Sequence, residues 1–156
     1  ILGSSSPFRA ELLKKLQINF IQHSPDIDET QLEGESAPTL VERLAQEKAR
    51  LIAEPSPQAL IIGSDQVAVA DGNILGKPGN HQTAIQQLMM ASGKSVTFYT
   101  GLALYNAENQ TMQHIVEPFT VHFMAVYIIY FNRLEGTCTH MQGDKCSVHT
   151  FLFQCR

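Results

Sequence analysis

The sequence lacks the features that would indicate a secreted or membrane-bound protein. Its three cysteines, Cys138, Cys146 and Cys155, all lie near the C-terminus, and an odd number placed so late does not indicate a disulfide framework. The longest apolar run, residues 124–131, is too short to span a bilayer. No signal-peptide or lipidation pattern is present. We therefore expect a cytoplasmic protein.

Positive charge is also scarce. The chain has 11 Lys and Arg against 15 Asp and Glu, for a net charge of −4, which disfavours nucleic acid or an anionic membrane as a partner. A polyanionic substrate would need a local cluster of Arg and Lys instead. With 156 residues and 44% hydrophobic content, the chain can build one domain with a core but not two.

Strand and helix patterns alternate and predict one α/β domain with a mixed sheet. Strands are predicted over 1–2, 19–23, 59–62, 67–69, 74–75, 95–105 and 112–123. Helices are predicted after Ser6, after Ser36 and from about His81 to Met90. In this prediction residues 63–66 interrupt a strand. Asp65 would then lie where a strand ends, at the edge where α/β sheets bind ligands.

A serine-rich turn before the first helix is a candidate anion site. Ser6 can cap the helix and Pro7 fits its first turn, while the free N–H groups of a helix N-terminus attract anions. Arg9 in the first turn opposes the helix dipole, which is explained if it meets a phosphate. A capped surface helix with an unrelated arginine explains the segment equally well.

Two acidic positions are candidates for metal or proton chemistry. The loop with Asp26, Asp28 and Glu29 suits a hard cation such as Mg²⁺, although a solvated acidic loop is the more common reading of such a segment. Asp65 could order a metal or deprotonate a water, or it could simply end a strand.

Two lysines are candidates for contacts with phosphate. Lys77 lies on a tight turn between Gly76 and Pro78, where it can meet a phosphate as a point charge. Lys48 in isolation is read as a solvated helix residue paired with a nearby Glu.

Taken together, these segments resemble the Maf family of nucleotide pyrophosphatases. The resemblance extends from Ile1 to about Phe123. The segments that carry it, in the family's order and spacing, are residues 4–9 (SSSPFR), 24–30 (SPDIDET), 43–49 (RLAQEKA), 62–67 (IGSDQV), 75–78 (LGKP) and 98–102 (FYTGL).

The resemblance implies an α/β fold over residues 1–123, an elongated mixed sheet flanked by helices with a cleft. There a nucleoside triphosphate would be split between its α- and β-phosphates into a monophosphate and pyrophosphate, with a divalent cation, Mg²⁺ or Mn²⁺. By position, Asp65 matches the catalytic acid/base, and Glu29 a metal- or substrate-binding carboxylate. The positions that match phosphate contacts are Ser4, Arg9, Lys48 and Lys77.

Two positions indicate the substrate. Family members that resemble dTTP/UTP hydrolases carry Arg in place of Phe8 and Thr in place of Gln66. This chain looks like the branch that acts on 7-methyl-GTP. An aromatic face attracts the cationic methylated guanine by about 0.5–2 kcal/mol. The alternative for Phe8 is simple packing on the first helix.

The C-terminal part departs from the family. After Phe123 the family continues with a helix, a strand and a Gly-rich segment that completes the base pocket, whereas residues 131–136 resemble a segment that lies well downstream, and residues 137–156 match nothing. We interpret residues 124–156 as a divergent or frameshifted tail that leaves the fold incomplete. The alternative to an active enzyme is therefore a catalytically impaired, nucleotide-binding relic.

The tail also carries metal-ligating residue types, Cys138, His140, Cys146 and His149. Cys-x-His is not a usual spacing for structural zinc, so we expect no zinc there. For the whole chain we expect a nucleoside triphosphate as the partner, with neither nucleic acid nor membrane. The oligomeric state is left open, with a homodimer among the alternatives.

Overall fold

The computed structural model describes residues 1–125, which form an α/β fold. The predicted tail, residues 124–156, lies almost wholly outside the described residues. The interpretation of the tail as divergent or frameshifted, and the expectation that its cysteines and histidines bind no zinc, therefore stay predictions. The helices and strands of the described residues are β1 (Leu2–Gly3), α1 (Pro7–Lys14), β2 (Gln22–His23), α2 (Ala37–Ala53), β3 (Leu60–Ala70), β4 (Asn73–Leu75), α3 (His81–Ala91), β5 (Ser95–Asn106) and β6 (Thr111–His122).

The strands form a mixed sheet, as the sequence predicts. Their order is β2-β1-β3-β5-β6, and β4 pairs with β3. Strand β1 runs parallel to both β2 and β3, whereas β4 is antiparallel to β3. Only residues 107–110 separate β5 from β6, and so short a connection requires neighbouring strands to be antiparallel.

The first two helices begin directly after Ser6 and Ser36, as predicted, and the third begins at His81, its predicted start. Ser6, Ser36 and Asn80 have extended backbones, and each side chain accepts a hydrogen bond from a backbone N–H in the first turn. Proline occupies the first turn of α1 and α2, where its missing N–H costs no helical hydrogen bond. None of the helices in residues 1–125 is long and apolar enough to cross a membrane.

The chain divides into two compact units. Among the described residues, the first contains Ile1–Val67 and Tyr99–Phe119, and the second contains Ala68–Phe98 and residues 120–125. Strands β3, β5 and β6 therefore each contribute residues to both units.

The core of the first unit lies between α2 and the sheet. The buried face of α2 has helical spacing, and Val41, Leu44, Ala45 and Ala49 are almost completely buried on it. Residues that pack together in this core are Ala45, Ala49, Ile52, Ile61 and Ala103.

Two strand glycines let α2 approach the sheet unusually closely. A Cβ at Gly63 would overlap the carbonyl oxygen of Ala45, and a Cβ at Gly101 would overlap that of Val41. Because Val41 and Ala45 are one helical turn apart, the two glycines make room for successive turns of the helix backbone.

The second unit has its own smaller core, formed by Ala68, Ala70, Ala91, Val96 and Phe98. Its β3–β4 hairpin turns at Asp71 and Gly72, both with positive φ, as the Asp-Gly signal predicts. Lys94 forms an ion pair with Asp71 across 2.6 Å.

One local prediction is wrong. Residues 63–66 do not interrupt a strand, since β3 runs without a break through Leu60–Ala70, and Asp65 therefore lies inside a strand rather than at its end. Helix α1 contributes little to the core, since Ala10 is the one buried residue of this helix and Leu12 is exposed. The polar residues Asp65 and Gln66 resemble a loop signal, but inside β3 their side chains bond to Lys48 and Thr100.

The close approach of α2 predicts a strong effect of a single methyl group. Gly101→Ala should lower the free energy of unfolding by about 1–3 kcal/mol or more, because backbone must move to admit the new Cβ. Chemical denaturation of the variant and of the unmodified chain measures this difference. Gly76→Ala is the matched control, since its Cβ would have nothing within 4 Å. Equal losses in both variants would contradict the prediction.

Candidate active site

The serine-rich turn after β1 is closed by hydrogen bonds to its own side chains. Ser4 is buried, and its Oγ accepts from the Ser6 N–H at 3.1 Å and from Arg9 Nη1 at 3.2 Å. Gln22 on β2 adds a further link, since its Nε2 donates to the Ser4 carbonyl at 2.6 Å. The turn is therefore a fixed structure that holds Ser4 and Arg9 together.

Arg9 links this turn to β3. Its Nη1 also donates to the carbonyl oxygen of Ser64 at 3.0 Å, which places the guanidinium beside the residue that precedes Asp65. Burial lowers the pKa of Arg9, while the negative charges of Asp65 and Glu29 raise it. The two carboxylates are thus electrostatic neighbours of Arg9.

A buried lysine lies at the centre of the site. Lys48 is on the buried side of α2, and its Nζ donates to Asp65 Oδ1 at 2.7 Å and to Glu29 Oε1 at 2.6 Å. The Asp65 side chain is 12% exposed, whereas that of Glu29 is 43% exposed. Lys48 is therefore not a solvated helix residue. Its ammonium group joins two carboxylates that come from separate parts of the sequence.

Charges in this cluster, which consists of Arg9, Glu29, Lys48 and Asp65, are balanced in sign. Removing one partner of a buried ion pair leaves an uncompensated charge and typically costs about 3–5 kcal/mol. Such a cluster is therefore held in one arrangement. Glu29, which comes from the loop between β2 and α2, is the member of the cluster most exposed to solvent.

The acidic loop, residues 24–36, does not gather its carboxylates at one point. Asp28 Oδ1 accepts the N–H of Thr30 at 2.9 Å, and the hydrogen bonds to Thr30 lower the pKa of Asp28. Asp26 is exposed. Only Glu29 of the three acidic candidates bonds to Lys48, and no group of three or more His, Cys, Asp or Glu side chains within residues 1–125 could hold a metal ion. Since Mg²⁺ often takes just one or two carboxylates and completes its shell with water and phosphate, Glu29 and Asp65 still fit such an ion.

Arg43 fixes this loop to α2, a role that the sequence analysis missed. Its Nε and Nη2 bond to the two oxygens of Glu35 at 2.8 and 2.9 Å. Nη2 also donates to the Thr30 carbonyl at 3.0 Å, and Nη1 to Glu47 at 3.2 Å. The i, i+4 spacing of Arg43 and Glu47 was the available signal.

The two specificity positions occupy different surroundings. Gln66 is half-buried in β3, and its Nε2 donates to Thr100 Oγ1 on β5 at 2.6 Å. Phe8 is 45% exposed on α1, so simple packing does not account for its whole aromatic surface. The exposed part is available to a ligand.

Lys77 lies in the loop between β4 and α3 and belongs to the second unit. Its predicted convergence with Arg9 and Lys48 on one anion stays a prediction. Lys48 bonds to Glu29 and Asp65, and the negative charges of the same two carboxylates raise the pKa of Arg9.

The Arg43–Glu35 pair predicts a specific dependence of stability on pH. The bond to Arg43 lowers the pKa of Glu35 from 4.5 to about 2. A carboxyl whose pKa is lower in the folded state contributes stability above its unfolded pKa and loses that contribution as the pH falls. The stability difference between the unmodified chain and Glu35→Gln should therefore be largest above about pH 4.5 and shrink toward pH 2. Urea denaturation at several pH values measures it, and a pH-independent difference would contradict the assignment.

Comparison with known proteins identifies the family. A family model described as Maf-like protein matches residues 1–128. Over 123 residues the chain is 60% identical to a 7-methyl-GTP pyrophosphatase of Pseudomonas aeruginosa, and 54% and 55% identical to proteins with the same description from Colwellia psychrerythraea and Alcanivorax borkumensis.

These alignments cover 79% of this chain but only 64%, 62% and 62% of the three relatives. The chain therefore spans less than two thirds of the length of these curated relatives. The family match, in contrast, includes well over half of the 156 residues. On this evidence the chain belongs to the family of Maf-like proteins.

Proposed function

We propose that the chain is a nucleoside triphosphate pyrophosphatase that hydrolyses 7-methyl-GTP, or a related modified nucleotide, to the monophosphate and pyrophosphate. The observation that carries this proposal is the buried Lys48, held between Glu29 and Asp65 beside Arg9. The activity named for relatives at 54–60% identity supports the substrate.

The reaction breaks the bond between the α-phosphorus and the oxygen that bridges to the β-phosphorus. A water oxygen adds to the α-phosphorus, pyrophosphate leaves with the bridging oxygen, and the water gives up one proton as it attacks. Asp65 is the group we assign to accept that proton, because a positioned carboxylate can act as a general base. Its Oδ1 is fixed by Lys48, so the carboxylate is held in a constant orientation.

The cations of the cluster are suited to stabilise the charge that builds on the phosphates. Preorganised donors act most strongly in a site that excludes water. Lys48 has little contact with solvent, and Arg9 is half-buried. Ser4 keeps the Arg9 guanidinium in place. Lys77 is assigned to phosphate by its position in the sequence alone.

A divalent cation, Mg²⁺ or Mn²⁺, is part of the proposal. When bound, it would neutralise phosphate charge and polarise the phosphoryl oxygens. Glu29 is the residue that would hold it, since it supplies the carboxylate oxygens that such ions prefer. We also propose a cytoplasmic location, because the cysteines do not indicate the disulfides of an oxidising compartment.

Asp65→Asn tests the assigned base. The substitution keeps the size of the side chain and an oxygen that can accept from Lys48, but it removes the basic carboxylate. Pyrophosphate release from 7-methyl-GTP should fall by at least about 100-fold, since general bases contribute roughly 10²–10⁴-fold. Nucleotide binding, measured by thermal shift, should persist.

Asp71→Asn is the matched control, since Asp71 is an exposed aspartate of the β3–β4 turn. Turnover of the Asp65 variant near that of the control would remove Asp65 from the mechanism. If the unmodified chain binds nucleotide but releases no pyrophosphate, the binding-only alternative holds.

The substrate is tested by the double variant Phe8→Arg with Gln66→Thr. It removes the exposed aromatic face and the amide bonded to Thr100. We expect the ratio of kcat/KM for 7-methyl-GTP to that for dTTP or UTP to fall, because an arginine repels the cationic methylated guanine. An unchanged ratio would show that specificity is set by other residues.

A further inference from the structure

Residues 28–34 of the acidic loop have no buried apolar side chain to hold them in place. All of them are exposed, Leu32 among them at 58%. Loops of this kind ordinarily sample several conformations. Yet Glu29 on this loop must keep its carboxylate against Lys48. Polar contacts must therefore supply the order that apolar burial does not.

Helix α2 supplies those contacts through two cations. Lys48 bonds to the Glu29 side chain at 2.6 Å, and Arg43 bonds to the carbonyl of the next residue, Thr30, at 3.0 Å. Adjacent residues of the loop are thus held from the same helix. Because α2 is fixed by the buried residues on its inner face, it provides a rigid base for the loop.

The guanidinium of Arg43 is itself held in one orientation. Its bidentate bond to Glu35 and its bond to Glu47 engage three further N–H groups. Such a planar, two-point contact fixes the orientation of the group in a way that a lysine cannot. Glu35 in turn accepts the N–H of Leu32 at 3.0 Å. One side chain therefore connects the middle of the loop, the end of the loop and the helix.

We propose that Arg43 is a positioning residue, which acts on catalysis only through the placement of Glu29. This inference rests on the proposed function, since it assigns a task within that site. Arg43 contacts Thr30, Glu35 and Glu47, and it takes no part in the chemistry itself.

A double-mutant cycle with Glu29 tests this role. Arg43→Gln should lower kcat/KM for 7-methyl-GTP by about 10–100-fold, the range expected when a reacting group is misplaced by about 1 Å. In the Glu29→Gln background the same substitution should have almost no further effect, because the group that it positions is already gone. A purely structural loss would instead multiply the defect in both backgrounds, and that result would overturn the proposal.

Two further variants sharpen the comparison. Arg43→Lys keeps the positive charge but cannot form the bidentate bond to Glu35. Its kcat/KM should therefore be lowered nearly as much as that of Arg43→Gln. Arg50→Gln is the matched control, because Arg50 lies on the same helix, is exposed and bonds only within the helix to Gln46 among its described contacts. Equal losses for the Arg43 and Arg50 variants would contradict the inference.

Hydrogen exchange separates this inference from the proposed function. The Leu32 amide, which donates to Glu35, should exchange at least about tenfold faster in Arg43→Gln and unchanged in Arg50→Gln. If the unmodified chain has no turnover, the proposed function fails, but the exchange rates and the same cycle run on the Kd for 7-methyl-GTP still decide the role of Arg43. Unchanged exchange in Arg43→Gln would refute it.

Discussion

The pairing of one buried ammonium group with two carboxylates is the interaction on which the first unit depends. Lys48 comes from α2, Asp65 from β3 and Glu29 from the loop between β2 and α2. A charge with so little access to water is tolerated only when its partners are close and well oriented. The requirement to satisfy Lys48 therefore fixes a helix, a strand and a loop relative to one another within this unit.

A glycine of the sheet, Gly63, determines how closely Lys48 on α2 can approach Asp65 on β3. Gly63 and Asp65 are two residues apart in β3, so their side-chain positions point to the same face, toward α2. A larger residue at position 63 would push Ala45 and its helix outward, and Lys48 lies within one turn of Ala45. The absence of a side chain at one strand position thus keeps the ammonium group within bonding distance of Asp65. Packing and chemistry share a single constraint here, which explains why polar residues interrupt the apolar pattern of β3.

The parts of this structure that follow from local chemistry were predictable. Ser6, Ser36 and Asn80 begin helices because capping is decided by a few neighbouring residues, and Asp71-Gly72 forms its hairpin turn for the same reason. The continuity of β3 through Asp65 was not predictable, because burial against α2, and not strand propensity, maintains it. The resemblance to the Maf family implies roles for Lys48, Glu29 and Asp65. The role of Arg43 depends on how the loop packs against α2, which local sequence patterns do not determine.

The charge balance of the site has a consequence for the ligand it suits. Arg9 and Lys48 already face Glu29 and Asp65, so a polyphosphate would compete with carboxylates for both cations. In the proposed function, Glu29 would hold a divalent cation whose positive charge offsets this competition. Glu29, the more exposed carboxylate of the pair, is the one best placed to hold that cation. Its loop must then be ordered without being buried, which is the condition that the contacts of Arg43 fulfil.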